Sequence, residues 1–455
     1  MRTRKIFRIV SYLLVALIFA TTLSGCTKKT TSGGNIIIWS FEEEDAWKPV
    51  IKNFQKNNKN YTVVYKKQEQ SSDYENRVLN SIAAGAGPDV WAMPNDWVYR
   101  HKEKLAPMPD SVAKNVNLDK DYVPSIKESL SISNKIYAMA PSVQPLMIYY
   151  NPKVFSDTLK SYSDANKTDR EAVKTANKLL NDTPKTWTDF VATANLITQR
   201  DGDNIAVSGA ALGTSEVFNS EEILYLLMMQ NETSILSDDV KLATFNLPKT
   251  TSTGAGDTPG IRALEFYTSF SNPGSENYSW NDSLGDAVDA FANNKVGMIF
   301  GYSDLQNTLL QKYPNLKYKR AFAPEVSEDA NKITDYSKFT AYGVSKFSKN
   351  TNVAWNLVMT LVGDSSISSF NSANRLYTSK KASSYDISIK NRTGTNPEKL
   401  ALATAHSLVK GRYPVEFDSI IREAIASVNS GTQSSQSSLD LASDKISQLL
   451  RKEDW

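Results

Sequence analysis

Few side chains in this sequence could carry covalent or metal chemistry. The chain of 455 residues has a single cysteine, Cys26, and two histidines, His101 and His406. A Ser–His–Asp arrangement needs a histidine base beside its nucleophile, and structural zinc is held mainly by cysteine and histidine. Because both residue types are so scarce, we predict no catalytic residue, no metal site and no cofactor.

Carboxylates are the remaining candidates for catalysis. A glycoside hydrolase needs two of them on either side of the bond that it cleaves. With 49 acidic residues in the chain, some pair can always be nominated, so their spacing does not discriminate. A surface glycoside hydrolase therefore stays open as an alternative.

The position of Cys26 indicates a processing site. Four basic residues within the first eight precede an apolar run over residues 9–20, which is the layout of a secretory signal and too short for a comfortable membrane span. The stretch "LSGCTKK" resembles a lipobox, at which the signal is removed and lipid is attached to the cysteine. We predict a signal peptide at 1–25, lipid on Cys26, and a flexible polar tether at 26–34. An ordinary signal sequence or an N-terminal membrane helix is the alternative.

The charge balance argues against a nucleic-acid partner. Loss of the four basic signal residues changes the formal net charge from +3 to −1, so the mature chain is nearly neutral. With no cysteine left to form a disulfide, stability outside the cytoplasmic membrane must come from packed cores. About 430 residues are enough for two domains.

The first third of the folded chain has an alternating pattern. Short apolar runs, "NIIIWSF", "YTVVYKKQ" and "DVWAMP", alternate with two segments whose apolar residues recur at helical spacing. Trp39 and Trp91 lie inside these runs and are expected in the core. The pattern predicts a parallel sheet covered by helices, with a ligand at the loops of residues 40–45 and 93–97.

Beyond this unit the chain changes direction and then repeats the alternation. The segment "KIYAMAPSVQPLMIYYNPKVF" reads as two extended pieces around Pro141 and Pro145, because proline disfavours one continuous central strand. We interpret it as a crossing between domains. Strands and helices alternate again over 187–361, and the last hundred residues are mostly helical by periodicity.

Five of these pieces, in this order and spacing, resemble the extracellular solute-binding proteins of ABC importers, in particular the carbohydrate-binding group that includes maltose-binding protein. They are "ENRVLNSIAAGAGPDVWAMPNDW", "IYAMAPSVQPLMIYYNPKVF", "PKTWTDFVATANLI", "ALEFYTSFSNPGSENYSWNDSLGDAVDAFANNKVGMIFGYSD" and "YGVSKFSKNTNVAWNLVMTLV". The sequence departs from the family pattern in a polar segment at 156–182, which is longer than the usual link.

The resemblance implies a two-lobed α/β fold of the type II periplasmic-binding-protein kind, in which each lobe is a mixed sheet covered by helices. Lobe one would comprise 35–140 and 301–347, and lobe two 141–300 and 348–455. A solute in the cleft would stabilise a closed form by hinge bending, and an ABC permease would receive it. The protein would be a monomer on the extracellular face of the bacterial cytoplasmic membrane, attached only through its lipid.

Sugar recognition needs flat aromatic faces for the pyranose ring and polar side chains for its hydroxyls. Aromatic and polar residues follow the predicted strands, lie at the crossing, precede the helix before "VGMIFG", or lie in the segment that matches a family loop facing the cleft. The candidate ligand-binding residues are Phe41, Glu42, Asn95, Asp96, Gln144, Trp280, Tyr302, Arg375 and Tyr377. For each of them, ordinary packing in the core or on the surface is the competing interpretation.

The predicted function is a lipid-anchored receptor that binds a carbohydrate, in particular an oligosaccharide, and delivers it to an ABC permease unchanged. The alternatives are a binding protein for another small polar solute, the glycoside hydrolase, and an adhesive lipoprotein, because one fold can serve many functions.

Overall fold

The computed structural model describes residues 33–249, 256–327, 333–381 and 401–452. The predicted signal peptide and the predicted lipid attachment at Cys26 lie outside the described residues. None of the described helices has the length and apolar character needed to cross a membrane.

The described residues form strands and helices in the alternation that the sequence predicts. The strands are β1 Gly34–Ser40, β2 Tyr61–Lys67, β3 Val90–Pro94, β4 Ser131–Ile132, β5 Lys135–Ile136, β6 Ala138–Met139, β7 Ser142–Pro145, β8 Met147–Tyr150, β9 Gln199–Asp201, β10 Asn204–Ala210, β11 Val296–Gly301, β12 Lys319–Phe322, β13 Asp335–Lys338, β14 Thr340–Val344, β15 Tyr377–Thr378 and β16 Ala405–His406. The α-helices are α1 Glu44–Asn57, α2 Tyr74–Ala83, α3 Trp97–Arg100, α4 Asp110–Ala113, α5 Leu118–Asp121, α6 Pro124–Leu130, α7 Pro152–Ala165, α8 Arg170–Asn181, α9 Trp187–Ile197, α10 Ser220–Gln230, α11 Pro259–Ser269, α12 Ala287–Ala292, α13 Leu305–Lys312, α14 Thr351–Leu361, α15 Asp364–Asn374, α16 Pro414–Asn429 and α17 Ser435–Arg451.

The first sheet has the strand order β2-β1-β3-β14-β6. Strands β1, β2 and β3 are parallel, as predicted, and β14 runs antiparallel to β3. Both Trp39 and Trp91 are buried in the core beneath this sheet, which confirms their predicted place. Parallel pairing brings the carboxyl ends of β1 and β3 to one edge, so the loops that begin at Phe41 and Asn95 are neighbours.

The second sheet has the strand order β12-β8-β11-β10-β9 and a core of its own. Strands β10 and β11 are parallel, while β8 lies antiparallel to both β11 and β12. Helix α9 approaches β10 so closely that a Cβ on Gly209 would lie 2.0 Å from the Ala194 carbonyl oxygen. The two sheets and their separate cores confirm the predicted fold class of mixed sheets covered by helices.

A third sheet, β15-β7-β13-β16, lies where the chain passes between the cores. Leaving the first core after Val143, the chain returns to it at Phe339, and residues 402–408 form the next passage. The Ser129 and Ser407 hydroxyls are 2.7 Å apart and tie this last passage to α6.

Two segments pack in the other core from the one that the predicted lobe boundaries assign them to. The division into lobes itself stays a proposal. Leu305 and Leu309 of α13 pack in the second core, because β12 returns antiparallel to β8, so residues 301–322 belong there. Trp355 and Phe370 of α14 and α15 pack in the first core against α1. Both helices follow β14 directly, which keeps them beside the sheet that contains it.

The polar segment at 156–182 forms most of the helical hairpin α7–α8. Asn151 begins α7 by accepting hydrogen bonds from the backbone N–H groups of Lys153 and Val154, at 3.0 and 3.3 Å. Helix α8 buries only Ala176 and Leu180 and exposes its charged face. Its polar composition therefore reflects a helix on the outside of the second core.

Candidate functional site

The loop after β1 holds Glu42 in a hydrogen-bond network. The hydroxyls of Ser40 and Tyr342 donate to its carboxylate, and the Tyr65 hydroxyl donates to its backbone carbonyl. The Trp47 indole N–H donates to Ser40 Oγ at 3.0 Å and fixes the other side of the network. Since Glu42 stays partly exposed, its carboxylate is both oriented and accessible.

Three aromatic rings form a row beside this loop. Phe41 packs edge to face on Tyr74, with ring centroids 4.8 Å apart, and Tyr74 stacks on Trp97 at 6.4 Å with an interplanar angle of 15°. Phe41 and Trp97 are both partly exposed. The row links the loop after β1 to the loop after β3 and presents aromatic surface of the kind that covers a sugar ring.

Asn95 forms hydrogen bonds that hold neighbouring segments of the fold together. It exchanges hydrogen bonds with Phe339, through its backbone N–H at 3.0 Å and its Oδ1 at 3.1 Å, and its Nδ2 donates to Ser129 Oγ at 3.1 Å. The residue is buried. These contacts tie β3 to β14 and α6, so they give Asn95 a structural role in place of the ligand contact expected from its position.

Asp96 contacts the other core through a buried lysine. The Lys410 ammonium group is 2.8 Å from Asp418 and 3.8 Å from Asp96, and its side chain is 3% exposed. The Tyr225 hydroxyl donates to the other oxygen of Asp418 at 2.7 Å. Burial alone would lower the pKa of Lys410, but Asp418, Tyr336 and Asp96 raise it well above its usual value, so the lysine is charged.

Burial has the opposite effect on the acids around this lysine. It raises the pKa of Asp96, and Lys410 only partly offsets the rise. It likewise raises the pKa of Glu222 to about 7, against the lowering influence of Lys338 and Lys410. Among the described residues, no donor of ordinary hydrogen-bond geometry reaches Asp96 Oδ1 or Glu222 Oε2. These two buried oxygens can still accept hydrogen bonds.

The crossing sheet brings Gln144 and Tyr302 to the same place. Gln144 pairs in register with Lys338, whose ammonium group lies 4.0 Å from the centre of the Tyr302 ring. Gln144 Oε1 accepts hydrogen bonds from Ser303 Oγ at 2.8 Å and from the Asp304 N–H at 3.0 Å. Burial, and then the neighbouring Glu222, raise the pKa of Tyr302 well above 10. Its phenol is therefore neutral.

We call this group of polar side chains between the two cores the interlobe cluster. Its members are Asp96, Glu222, Tyr225, Tyr302, Tyr336, Lys338, Lys410 and Asp418. The structure thus brings Asp96, Gln144 and Tyr302 together, and the aromatic row leads from Phe41 through Tyr74 to Trp97, the residue that follows Asp96.

Three predicted ligand residues lie apart from this cluster in the structure. Trp280 is 2% exposed and packs in the second core. Arg375 ends α15 in a left-handed conformation with φ 56° and is exposed, and Tyr377 pairs with Val143 at the edge of the crossing sheet. Their contact with a ligand stays a prediction.

Sequence reasoning missed Glu222, Lys338, Lys410 and Trp97 as site residues. Glu222 reads as a favourable acid in the first turn of α10, and Lys410 as one of many surface lysines. They meet Asp96 only after the fold brings together parts of the chain separated by more than a hundred residues. Trp97 could have been predicted from the sequence, because it ends the predicted ligand loop at 93–97. Among the described residues, no group of three or more His, Cys, Asp or Glu side chains could hold a metal ion.

Comparison with protein families gives one match that spans most of the chain. The profile of the family described as bacterial extracellular solute-binding protein matches residues 50–391. A curated relative, the maltotriose-binding protein of Pyrococcus abyssi, is 26% identical over 98 residues. That alignment spans 21% of this chain and 21% of the relative.

Solved structures of sugar-binding proteins have a similar fold. The sugar-binding protein MalE from Xanthomonas citri is 17% identical with a TM-score of 0.68, covering 92% of this chain and 98% of the other. A cyclic α-maltosyl-1,6-maltose binding protein from Arthrobacter globiformis is 16% identical with a TM-score of 0.68, covering 92% and 100%. An ABC substrate-binding protein from Listeria monocytogenes, solved with cycloalternan, is 16% identical with a TM-score of 0.65, covering 92% and 99%. At these identities the likeness concerns the fold.

Replacing Asn95 with alanine should destabilise the protein. The change leaves the buried Phe339 N–H without its acceptor, which costs about 1–3 kcal/mol. Urea unfolding measures this loss. Asn53→Ala is the control, because the Asn53 amide donates only to the Ser365 and Ser366 hydroxyls near the surface and its loss should cost less. Equal stability of Asn95→Ala and the wild type would contradict the structural role.

Replacing Glu222 with glutamine should stabilise the protein at high pH. In the folded state the pKa of Glu222 is about 7, against 4.5 ordinarily, so the folded state binds more protons than the unfolded state between these values. The free energy of unfolding of the wild type therefore falls as pH rises through this range, by up to about 3 kcal/mol. Glutamine carries no such charge, so the gain should be present at pH 8 and largely absent at pH 4.5.

Urea unfolding of both proteins at pH 4.5 and 8 tests this difference. Glu265→Gln, at an exposed position on α11, serves as the control, and its effect should be small at both values. A Glu222→Gln effect that is the same at pH 4.5 and pH 8 would show that burial does not penalise the charge.

Proposed function

The chain belongs to the bacterial extracellular solute-binding protein family, and from this membership we propose that it is a lipid-anchored receptor for a carbohydrate. The matching family consists of solute-binding proteins and not of enzymes. The receptor binds an oligosaccharide between its two lobes by hinge closure and delivers it, unchanged, to an ABC permease.

One observation carries the carbohydrate proposal. The row of Phe41, Tyr74 and Trp97 ends next to Asp96, whose buried Oδ1, like Oε2 of Glu222 in the same interlobe cluster, is reached by no donor of ordinary hydrogen-bond geometry among the described residues. A sugar offers what this arrangement needs, because its apolar face packs on an aromatic ring and its hydroxyls donate to carboxylates. An oriented, accessible Glu42 at the end of the row adds a further acceptor.

Contacts that join the two cores support the proposed closure of the cleft. Asp96 comes from the first core, and Lys410 from a segment that packs with the second. A solute that bridges the two sides adds affinity only in the closed form, so it shifts the equilibrium toward closure. The crossing sheet supplies the short strands about which the lobes rotate.

α-Glucans are the first sugars to examine. The curated relative is a maltotriose-binding protein, and the solved proteins of similar fold include receptors for linear and cyclic maltooligosaccharides. The ligands of these proteins indicate which sugars to test first, and binding to this chain has to be measured for each of them.

A thermal-shift screen of the mature chain, with Cys26→Ser in place of the lipid, should find an oligosaccharide that raises the melting temperature. A ligand at a hundred times its dissociation constant stabilises the native state by about 2.7 kcal/mol. Asp96→Asn and Trp97→Ala should each weaken that ligand at least about tenfold by calorimetry. Asp157→Asn, an exposed change on α7, should leave its affinity unaltered.

Other outcomes of the screen favour the alternatives. A response to another polar solute, with none to sugars, would replace the carbohydrate proposal within the same family. Release of reducing ends from an added oligosaccharide would favour a hydrolase, and a folded protein that binds no solute would favour adhesion.

Lipid attachment has its own test. Cells that express the full chain should incorporate radiolabelled palmitate into the protein, because Cys26 is the predicted acceptor. Cys26→Ala should abolish the label while leaving solute binding of the purified chain intact. Label that persists in Cys26→Ala would contradict the anchor.

A further inference from the structure

The two ends of β1 have different surroundings. Its carboxyl end leads to Phe41 and Glu42 of the candidate site, whereas its amino end, at Gly34, is where the chain arrives from Cys26. Because β1, β2 and β3 are parallel, their amino ends share the edge of the sheet opposite the site. This far edge is therefore the part of the folded chain closest to the predicted anchor along the sequence.

Two segments surround Gly34 at this edge. On one side, the Gly34 N–H donates to the Asn60 carbonyl at 3.1 Å, directly after the end of α1. On the other side, Asn350 Nδ2 lies 3.6 Å from the position that a Cβ on Gly34 would occupy. Asn350 is there because β14 runs antiparallel to β3 and ends at Val344, which brings residues 345–350 to the far edge.

Both segments are rich in lysine. Residues 46–68 contain six lysines and no acidic residue, although Lys66 and Lys67 lie at the opposite end of β2. Lys56 and Lys59 lie at the end of this region nearest Gly34, and Lys346 and Lys349 lie in the other segment. All four are exposed, and none forms an ion pair with the part of the chain that the structure describes.

The acids close to this edge do not neutralise the lysines. Asp89 accepts hydrogen bonds from the Ile37 N–H at 2.8 Å and from the Ser348 hydroxyl at 2.5 Å, and its single negative charge is outnumbered by the four lysines. Glu103 is exposed, but it stands between Lys102 and Lys104 in a short 3-10 helix. The edge therefore carries a net positive charge.

An exposed phenylalanine lies among these charges. Phe347 is 64% exposed and stands between Lys346 and Lys349. Backbone hydrogen bonds from Ser345 to the Asp89 carbonyl at 2.8 Å and from Ser348 to the Ser345 carbonyl at 3.1 Å hold its turn in place. Exposed aromatic side chains with neighbouring lysines are typical of surfaces that enter the headgroup region of a membrane.

We propose that this tether-proximal surface, made of Lys56, Lys59, Lys346, Phe347 and Lys349, binds the anionic phospholipid headgroups of the membrane that carries the anchor. Seven residues lie between Cys26 and Gly34, so the eight Cα–Cα steps of the tether span at most about 29 Å. Within that reach the surface meets the lipid repeatedly, and each lysine near an anionic leaflet strengthens binding about fivefold. This proposal rests on the proposed function in one respect only, the lipid anchor at Cys26.

Binding by the far edge would turn the candidate site away from the lipid. Phe41 and Glu42 lie at the opposite ends of the same strands, where they would be open to the solution. The membrane contact thus orients the receptor for capture of a solute before it meets the permease.

Vesicle co-sedimentation of the mature Cys26→Ser chain tests the proposal without the lipid anchor. This chain keeps every residue that the structure describes. It should bind vesicles of equal parts phosphatidylglycerol and phosphatidylcholine. Its affinity for vesicles of pure phosphatidylcholine should be lower by at least about tenfold. The double variant Lys346→Glu and Lys349→Glu should lose at least about tenfold in affinity, and Phe347→Ser should lose several-fold. Higher salt should weaken binding of the wild type, because it screens the lysines.

Lys160→Glu with Lys178→Glu is the matched control, because both lysines are exposed on the α7–α8 hairpin of the other core. It should bind vesicles as the wild type does. Equal binding to both vesicle types, or equal loss in the control, would overturn the proposal. So would binding to an anionic cell-wall polymer with no binding to vesicles. The thermal shift with a sugar should be unchanged in all these variants, so failure here is distinguishable from failure of the receptor proposal.

Discussion

The structure depends on an ammonium group buried between its two cores. Removing a lysine from water costs several kcal/mol, and only close carboxylates can offset that cost. Lys410 has Asp418 at 2.8 Å on its own side and Asp96 at 3.8 Å on the other. Asp418 supplies the nearer negative charge and Asp96 a second, more distant one, so the lysine attracts the end of β3 toward the second core.

The same compensation explains why the site can remain polar inside a large protein. Tyr225, Tyr302 and Tyr336 are buried and neutral, and they surround the ion pairs with hydroxyl groups and aromatic faces. A wholly apolar boundary would join the two cores into one and leave nothing for a polar solute to bind. A boundary of charges that balance one another keeps the cores separate, and it leaves acceptor oxygens on Asp96 and Glu222 for a ligand.

The sequence predicted the local part of this arrangement well. Runs of β-branched residues marked β1 to β3, and their parallel order followed from the helices between them. This also placed Phe41, Glu42 and Asp96 correctly at one edge. The sequence did not predict which core the chain joins after a strand that ends near the crossing sheet. After β11 the chain stays with the second core, and after β14 it stays with the first, contrary to the predicted lobe boundaries. Trp280 shows another limit, because a tryptophan that precedes a helix has the same sequence signature whether it is buried or open to the cleft. Lys410 and Glu222 could not be recognised, since the pairing of distant charges is a property of the completed fold.

A single strand connects the two functions proposed for the first lobe. A strand in a parallel sheet has two unlike ends, and the two proposals use different ends of β1: the carboxyl end for a solute and the amino end for the tether. The separation is a consequence of topology: no loop at the site end has to reach the membrane, and no lysine at the far edge can enter the cleft. Charge follows the same division. At the site end of the first βα unit, the four acids Glu42 to Asp45 outnumber the three lysines Lys48, Lys66 and Lys67, whereas Lys56 and Lys59 at the far end have no ionic partner among the described residues. A strand–helix–strand unit with more acids than lysines at one end and unpaired lysines at the other has a preferred orientation over an anionic surface, because only its far end is attracted to it. The tether then needs only to hold the protein near the lipid, since the charge distribution of the fold decides which end faces it.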